Sequence, residues 1–184
     1  MKENKKTSRK RSVAKRITAL AMMTALSVVL GIVCKNLFTI ALLYRFTLEN
    51  LGVIMAGIFF GPFYGAAVGI ASDLISCLLS TNPVPIPLIT AGAATVGLVS
   101  GVVSRALRRL SFGKRCVIAA ISAHLTGQVI IKSVAKMIVY HMPWYGIFIG
   151  LGFSVVAVII ETRVIVILSK NRQIMEFINR NDDL

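Results

Sequence analysis

The sequence predicts an all-α polytopic membrane protein with six transmembrane helices. Three observations lead there. Apolar residues make up 56% of the 184 residues and only 15% are charged, where a water-soluble domain carries about a quarter. The chain has 21 Lys and Arg against 7 Asp and Glu, a net charge of +14. These cations fall in blocks between long apolar runs, which is the pattern of basic cytoplasmic segments and excludes a nucleic-acid-binding reading. The apolar runs approach or exceed the roughly 20 residues that one bilayer crossing requires.

Taken in order, residues 1–16 form a basic cytoplasmic segment, with eight Lys or Arg and one Glu between Lys2 and Arg16. The run 17–34 is the first helix; because more spans follow, it reads as a retained helix rather than a cleaved leader. The next apolar stretch is broken at Gly61-Pro62, since proline cannot continue a helix interior. A second helix is therefore expected over 48–60 and a third over 63–79, with one of these short helices tilted or only partly spanning. Thr81-Asn-Pro-Val-Pro-Ile-Pro87 is a stiff loop. The fourth helix runs over 88–107, and a basic loop with Arg105, Arg108, Arg109, Lys114 and Arg115 follows. The fifth covers 116–140, and Pro143 opens the sixth, which ends near Ser169. The membrane domain is thus 17–169, and 170–184 form a tail. Lys and Arg concentrate in the N-terminal segment, the loop between the fourth and fifth helices and the tail, so both termini are expected in the cytoplasm. No repeat relates the two halves. The scattered Cys34, Cys77 and Cys116 give neither a disulfide framework nor a metal spacing and read as apolar fillers.

Helix association in lipid depends on close approach of small residues. Gly61, Gly65 and Gly69 recur every fourth residue, Ala93, Gly97 and Gly101 repeat the pattern, and Ala21 and Ala25 form a pair on the first helix. The expectation is internal packing for these rows, with an external partner held open for the first helix.

The ionisable residues in the spans carry the functional signal, because each costs about 2.5–3.5 kcal/mol at the bilayer centre and needs a partner or a cavity. Asp73 lies in the third helix, and His124, Gln128, Lys132 and Lys136 follow one another at intervals of four on the fifth. At about 1.5 Å per residue, Asp73 stands roughly 16 Å and Lys132 roughly 25 Å above the cytoplasmic boundary. With Arg45 near the outer surface, these charges converge in the outer half. Two arrangements are open: a cavity facing outward, or an internal Asp73–Lys132 ion pair that serves packing alone. Lys136 is expected to snorkel outward. Glu161 and Arg163 are expected at the inner interface, and His141, Trp144 and Tyr145 at the outer one.

No G-x-x-x-x-G-K-[ST] loop, H-E-x-x-H motif, carboxylate pair or nucleophile constellation appears, so an enzyme is not expected, nor a bound metal or cofactor. The run from Arg45 to Asp73, with Gly57, Gly61-Pro62, Gly65 and Gly69, resembles the substrate-binding (S) components of energy-coupling factor (ECF) vitamin transporters. The segments Arg45-x-Thr47-x-Glu49-Asn50, Thr90-x-Gly92-Ala93 and His124-x-x-Gly127-x-x-x-Ile131-Lys132-Ser133 resemble the folate branch. Ile86 stands before Pro87 where that pattern has Asn. The resemblance implies a six-helix receptor in the bilayer that binds a folate-like vitamin from outside. It also implies docking through Ala21 and Ala25 onto a transmembrane coupling subunit driven by two ATPase subunits. Arg45 and Lys132 are then expected to pair with ligand carboxylates, and Asp73 to accept hydrogen bonds from the heterocycle. Asn50, His124 and Gln128 would orient the ligand and Trp144 would stack on it. The alternatives are the same fold with another vitamin, a six-span enzyme acting on lipid, and an assembly factor.

Overall fold

The computed structural model describes residues 2–37, 39–41, 44–45, 48–79, 86–141 and 146–169. Six helical rods are built from α1 (Lys2–Leu37), α2 (Asn50–Phe60), α3 (Pro62–Leu78), α4 (Pro87–Ala106), a long fifth rod, and α7 (Gly146–Ser169). The fifth rod is continuous: α5 (Phe112–Ala123), a π-helical segment (His124–Ile131) and α6 (Lys132–Tyr140). Between α1 and α2 a small antiparallel ribbon pairs β1 (Thr39–Ala41) with β2 (Tyr44–Arg45).

Val13–Cys34, Pro87–Ala106 and Phe112–Val139 are each long and apolar enough to cross a membrane. Large side chains such as Met22, Phe63, Leu78, Phe148 and Ile167 point outward. A surface this apolar belongs in lipid, where backbone polar groups must be satisfied within helices. α2 is the exception. Every one of its 11 residues is buried, as expected of a helix that is apolar all round. At about 1.5 Å per residue it is roughly 16 Å long, half a bilayer core. The expectation of one partly spanning short helix falls on α2.

α2 and α3 are joined at Gly61, whose φ of 104° is open to glycine without strain. Pro62 then supplies the first residue of α3, where its missing N–H costs nothing. The Arg105 guanidinium at the end of α4 lies against this turn.

The glycine rows meet one another. A Cβ placed on Gly65 of α3 would lie 2.5 Å from the Gly97 carbonyl oxygen of α4. Gly69 abuts Ala93, Gly101 abuts Pro62, and Gly57 of α2 fits against Gly97 and Ser100. These rows form the seam on which α2, α3 and α4 assemble. α1 divides into two faces: Ser27, Val28, Gly31 and Cys34 are buried, whereas Ile17, Ala21, Met22, Ala25, Leu26 and Val29 are exposed. Cys116 is buried and Cys77 half-buried; among the described residues the cysteines are free thiols. At the opposite end of α1 from the ribbon, the Arg16 guanidinium sits 5.8 Å from the Tyr64 ring centroid.

Candidate functional site

The start of α2, the end of α3, the first turns of α4 and the α6 part of the fifth rod come together at the end of the bundle away from the Gly61–Pro62 turn. Glu49, Asn50, Val53, Ser72, Asp73, Ser76, Ala93 and Lys132 line a small, partly open cleft there. Three of the residues singled out in the sequence, Asn50, Asp73 and Lys132, are therefore brought together.

The partners differ from the ion pair that the sequence left open. Lys132 does not reach for Asp73. Its Nζ donates to Glu49 Oε1 at 2.8 Å. Asp73 is instead served by Thr90, whose hydroxyl donates to Asp73 Oδ2 at 2.6 Å. The Lys132 stem runs close over Gly92, where a Cβ would meet Lys132 Cγ at 2.7 Å. Only glycine leaves that path open. Asn50 is 1% exposed and lines the cleft, and its Nδ2 has no hydrogen-bond partner among the described residues. Buried polar groups are nearly always satisfied; among the described residues this enclosed amide nitrogen is an exception.

His124 and Gln128 are not among the residues lining this cleft. His124 Nε2 lies 2.6 Å from Glu161 Oε2, with both side chains buried. This corrects the expectation that Glu161 is interfacial: it is 0% exposed and faces the π segment from α7. A charged residue near a helix end was read as lying at the bilayer surface, but His124 supplies the polar partner that lets it lie inside. Arg163, two residues on, is exposed. Among the described residues, His124 Nδ1, Glu161 Oε1 and Gln128 Oε1 are buried without hydrogen-bond partners. The π segment begins at His124 and ends just before Lys132. Its wider turns depart from α-helical spacing; His124 meets α7 while Lys132 meets Glu49. The regular spacing of four had suggested one shared face. The side chains of Arg45 and Lys136, and all of Trp144 and Tyr145, lie outside the described residues, as does the Pro-rich loop from Ser80 to Pro85.

Residues 11–172 match the family described as ECF-type riboflavin transporter, S component. The chain belongs to that family. As an ECF S component it is a membrane protein and the vitamin-binding subunit of a transporter, partnered by a T component and ATPases. The family is one of transport components rather than enzymes. No curated protein matches the chain individually. The match extends over all six rods, so the ECF resemblance read from the glycine pattern holds. The folate branch was read from shorter segments, and the family's description names riboflavin instead.

Proposed function

We propose that this S component captures a flat, uncharged heteroaromatic vitamin of the riboflavin type in the Asn50–Asp73–Lys132 cleft. The observation that carries this reading is the meeting of Asn50, Asp73 and Lys132 in one cleft. An amide, a carboxylate and an ammonium together offer donors and acceptors, which suits the alternating carbonyl and N–H groups on the edge of a flavin ring. The family description points the same way. The excess of Lys and Arg in the N-terminal segment, the α4–α5 connection and the tail supports cytoplasmic termini and a cleft open to the outside. Ala21 and Ala25, exposed on α1, support a docking face for the T component.

Folate is the second reading, favoured by Arg45-x-Thr47-x-Glu49-Asn50. It requires cations for the ligand's carboxylates, and among the described residues lining the cleft the cation is Lys132, already bound to Glu49. Isothermal titration of the purified protein with riboflavin and with folate tests the choice. The expected result is saturable riboflavin binding with folate weaker by at least about tenfold. Tighter folate binding would replace the flavin reading with the folate one.

A further inference from the structure

Glu49 occupies the cation that an anionic ligand would seek. Its Oε1 accepts from Lys132 Nζ at 2.8 Å. The Lys132 side chain is 6% exposed and that of Glu49 23%, so the pair is largely withdrawn from solvent. Both partners are held in place. Glu49 is seated against Gly31 of α1, where an added Cβ would lie 3.3 Å from Glu49 Cβ. The Lys132 stem is confined over Gly92. Asp73 contributes a second carboxyl to the same cleft. The described lining therefore carries two carboxylates and one ammonium, a net formal charge of −1.

We infer that Glu49 sets the charge specificity of the cleft, neutralising Lys132 so that anionic ligands are rejected and uncharged heterocycles accepted. The inference rests on the vitamin-binding reading above. A ligand carboxylate or phosphate has two ways in. It can displace Glu49 from Lys132, which breaks the 2.8 Å ion pair. It can instead lie next to both carboxylates, against an ammonium that is already compensated. The first breaks an ion pair largely withdrawn from solvent, and the second adds a third negative charge to the described lining; both are costly where water is scarce. An uncharged ring pays neither cost and meets oriented polar groups.

The test uses matched ligand pairs that differ in charge on one heterocycle: riboflavin with riboflavin 5′-phosphate, and 6-hydroxymethylpterin with pterin-6-carboxylate. Affinities are measured by titration calorimetry on the full-length protein in lipid nanodiscs. The wild type is expected to prefer the uncharged member of the pair it binds by about thirtyfold or more. Glu49→Gln should close that gap by about tenfold, through tighter binding of the anionic member. Adding Lys132→Met should remove the gain, which assigns it to Lys132 rather than to Arg45. Glu49→Asp keeps the charge, serves as the test if the glutamine variant does not fold, and should preserve the discrimination. Equal wild-type affinity for both members, an unchanged gap in Glu49→Gln, or lost discrimination in Glu49→Asp would each overturn the inference while leaving vitamin binding intact. Preference for the pterin pair would overturn the flavin reading alone, since charge discrimination is then read within that pair. A wild type that binds neither pair removes both.

Discussion

Two stretches of this chain carry the same signature, small residues four apart, and they meet different fates. On α3 and α4 the rows Gly61-Gly65-Gly69 and Ala93-Gly97-Gly101 are buried against each other, backbone to backbone. On α1, Ala21 and Ala25 face outward among exposed Ile17, Met22, Leu26 and Val29. The opposite face of the same helix does the internal packing, where Gly52 of α2 nests against Met23 and Ser27. The spacing thus describes a smooth surface and says nothing of what covers it; a second matching row inside the chain does. α7 shows a third solution. A Cβ on its Gly152 would meet nothing within 4 Å, and α7 is tied to the fifth rod by the buried His124–Glu161 pair, a polar contact serving as glue between helices.

The largest effect should come from breaking the buried seam. Gly97→Leu drives a side chain into the backbone of α3, with no flexible neighbour able to yield. Overpacking of a close-packed interior costs about 1–3 kcal/mol and more when backbone must move. The variant is expected to yield no monodisperse protein by size-exclusion chromatography in detergent, and normal recovery would refute the seam. Next, Glu161→Ala strands His124 inside the bundle. Breaking a buried pair typically costs about 3–5 kcal/mol, so melting should fall sharply, and His124→Leu in the same chain should restore much of it. If the double variant melts no higher than the single one, the pair is not what holds α7. A smaller effect on stability is expected at the cleft. Asp73→Asn should weaken vitamin binding about ten- to a hundredfold in calorimetry with little change in the melting of the ligand-free protein; a lowered melting temperature with unchanged affinity would make the Asp73–Thr90 contact purely structural. The smallest effect on the isolated protein belongs to the exposed pair. Ala25→Trp should leave melting and ligand affinity as they are while abolishing uptake by cells that carry the complete transporter. Normal uptake would sever the exposed stripe from any docking role.

The sequence made the six helices legible because length, apolarity and the placement of Lys and Arg report directly on the bilayer. The break at Gly61-Pro62 was equally plain, since proline and glycine act locally. The convergence of Asp73 and Lys132 followed from counting residues along helices, whereas Asn50 was singled out through the family resemblance. What the sequence concealed was partnership. Lys132 pairs with Glu49, 83 residues away, and Asp73 with Thr90 across the α3–α4 connection; helical depth alone could not choose between carboxylates at similar height. Glu161 was misplaced for the same reason, its partner lying 37 residues upstream. The signal available was the cost of two ionisable groups in apolar runs, which should have matched Glu161 with His124 rather than sending one of them to the surface. The π segment left no clear trace in composition.

The burial of α2 on every side bears on how this protein is assembled. A helix of 11 residues that touches protein all round has neither the length to cross a bilayer alone nor a lipid-facing side to stabilise it while it waits for neighbours. Its stability is therefore borrowed: α1, α3 and α4 pack around it, with α5 and α7 also in contact, and the close approach of α4 at Gly57 leaves no room for a side chain. The Asn50 end of the cleft, being the first turn of α2, depends on that same enclosure.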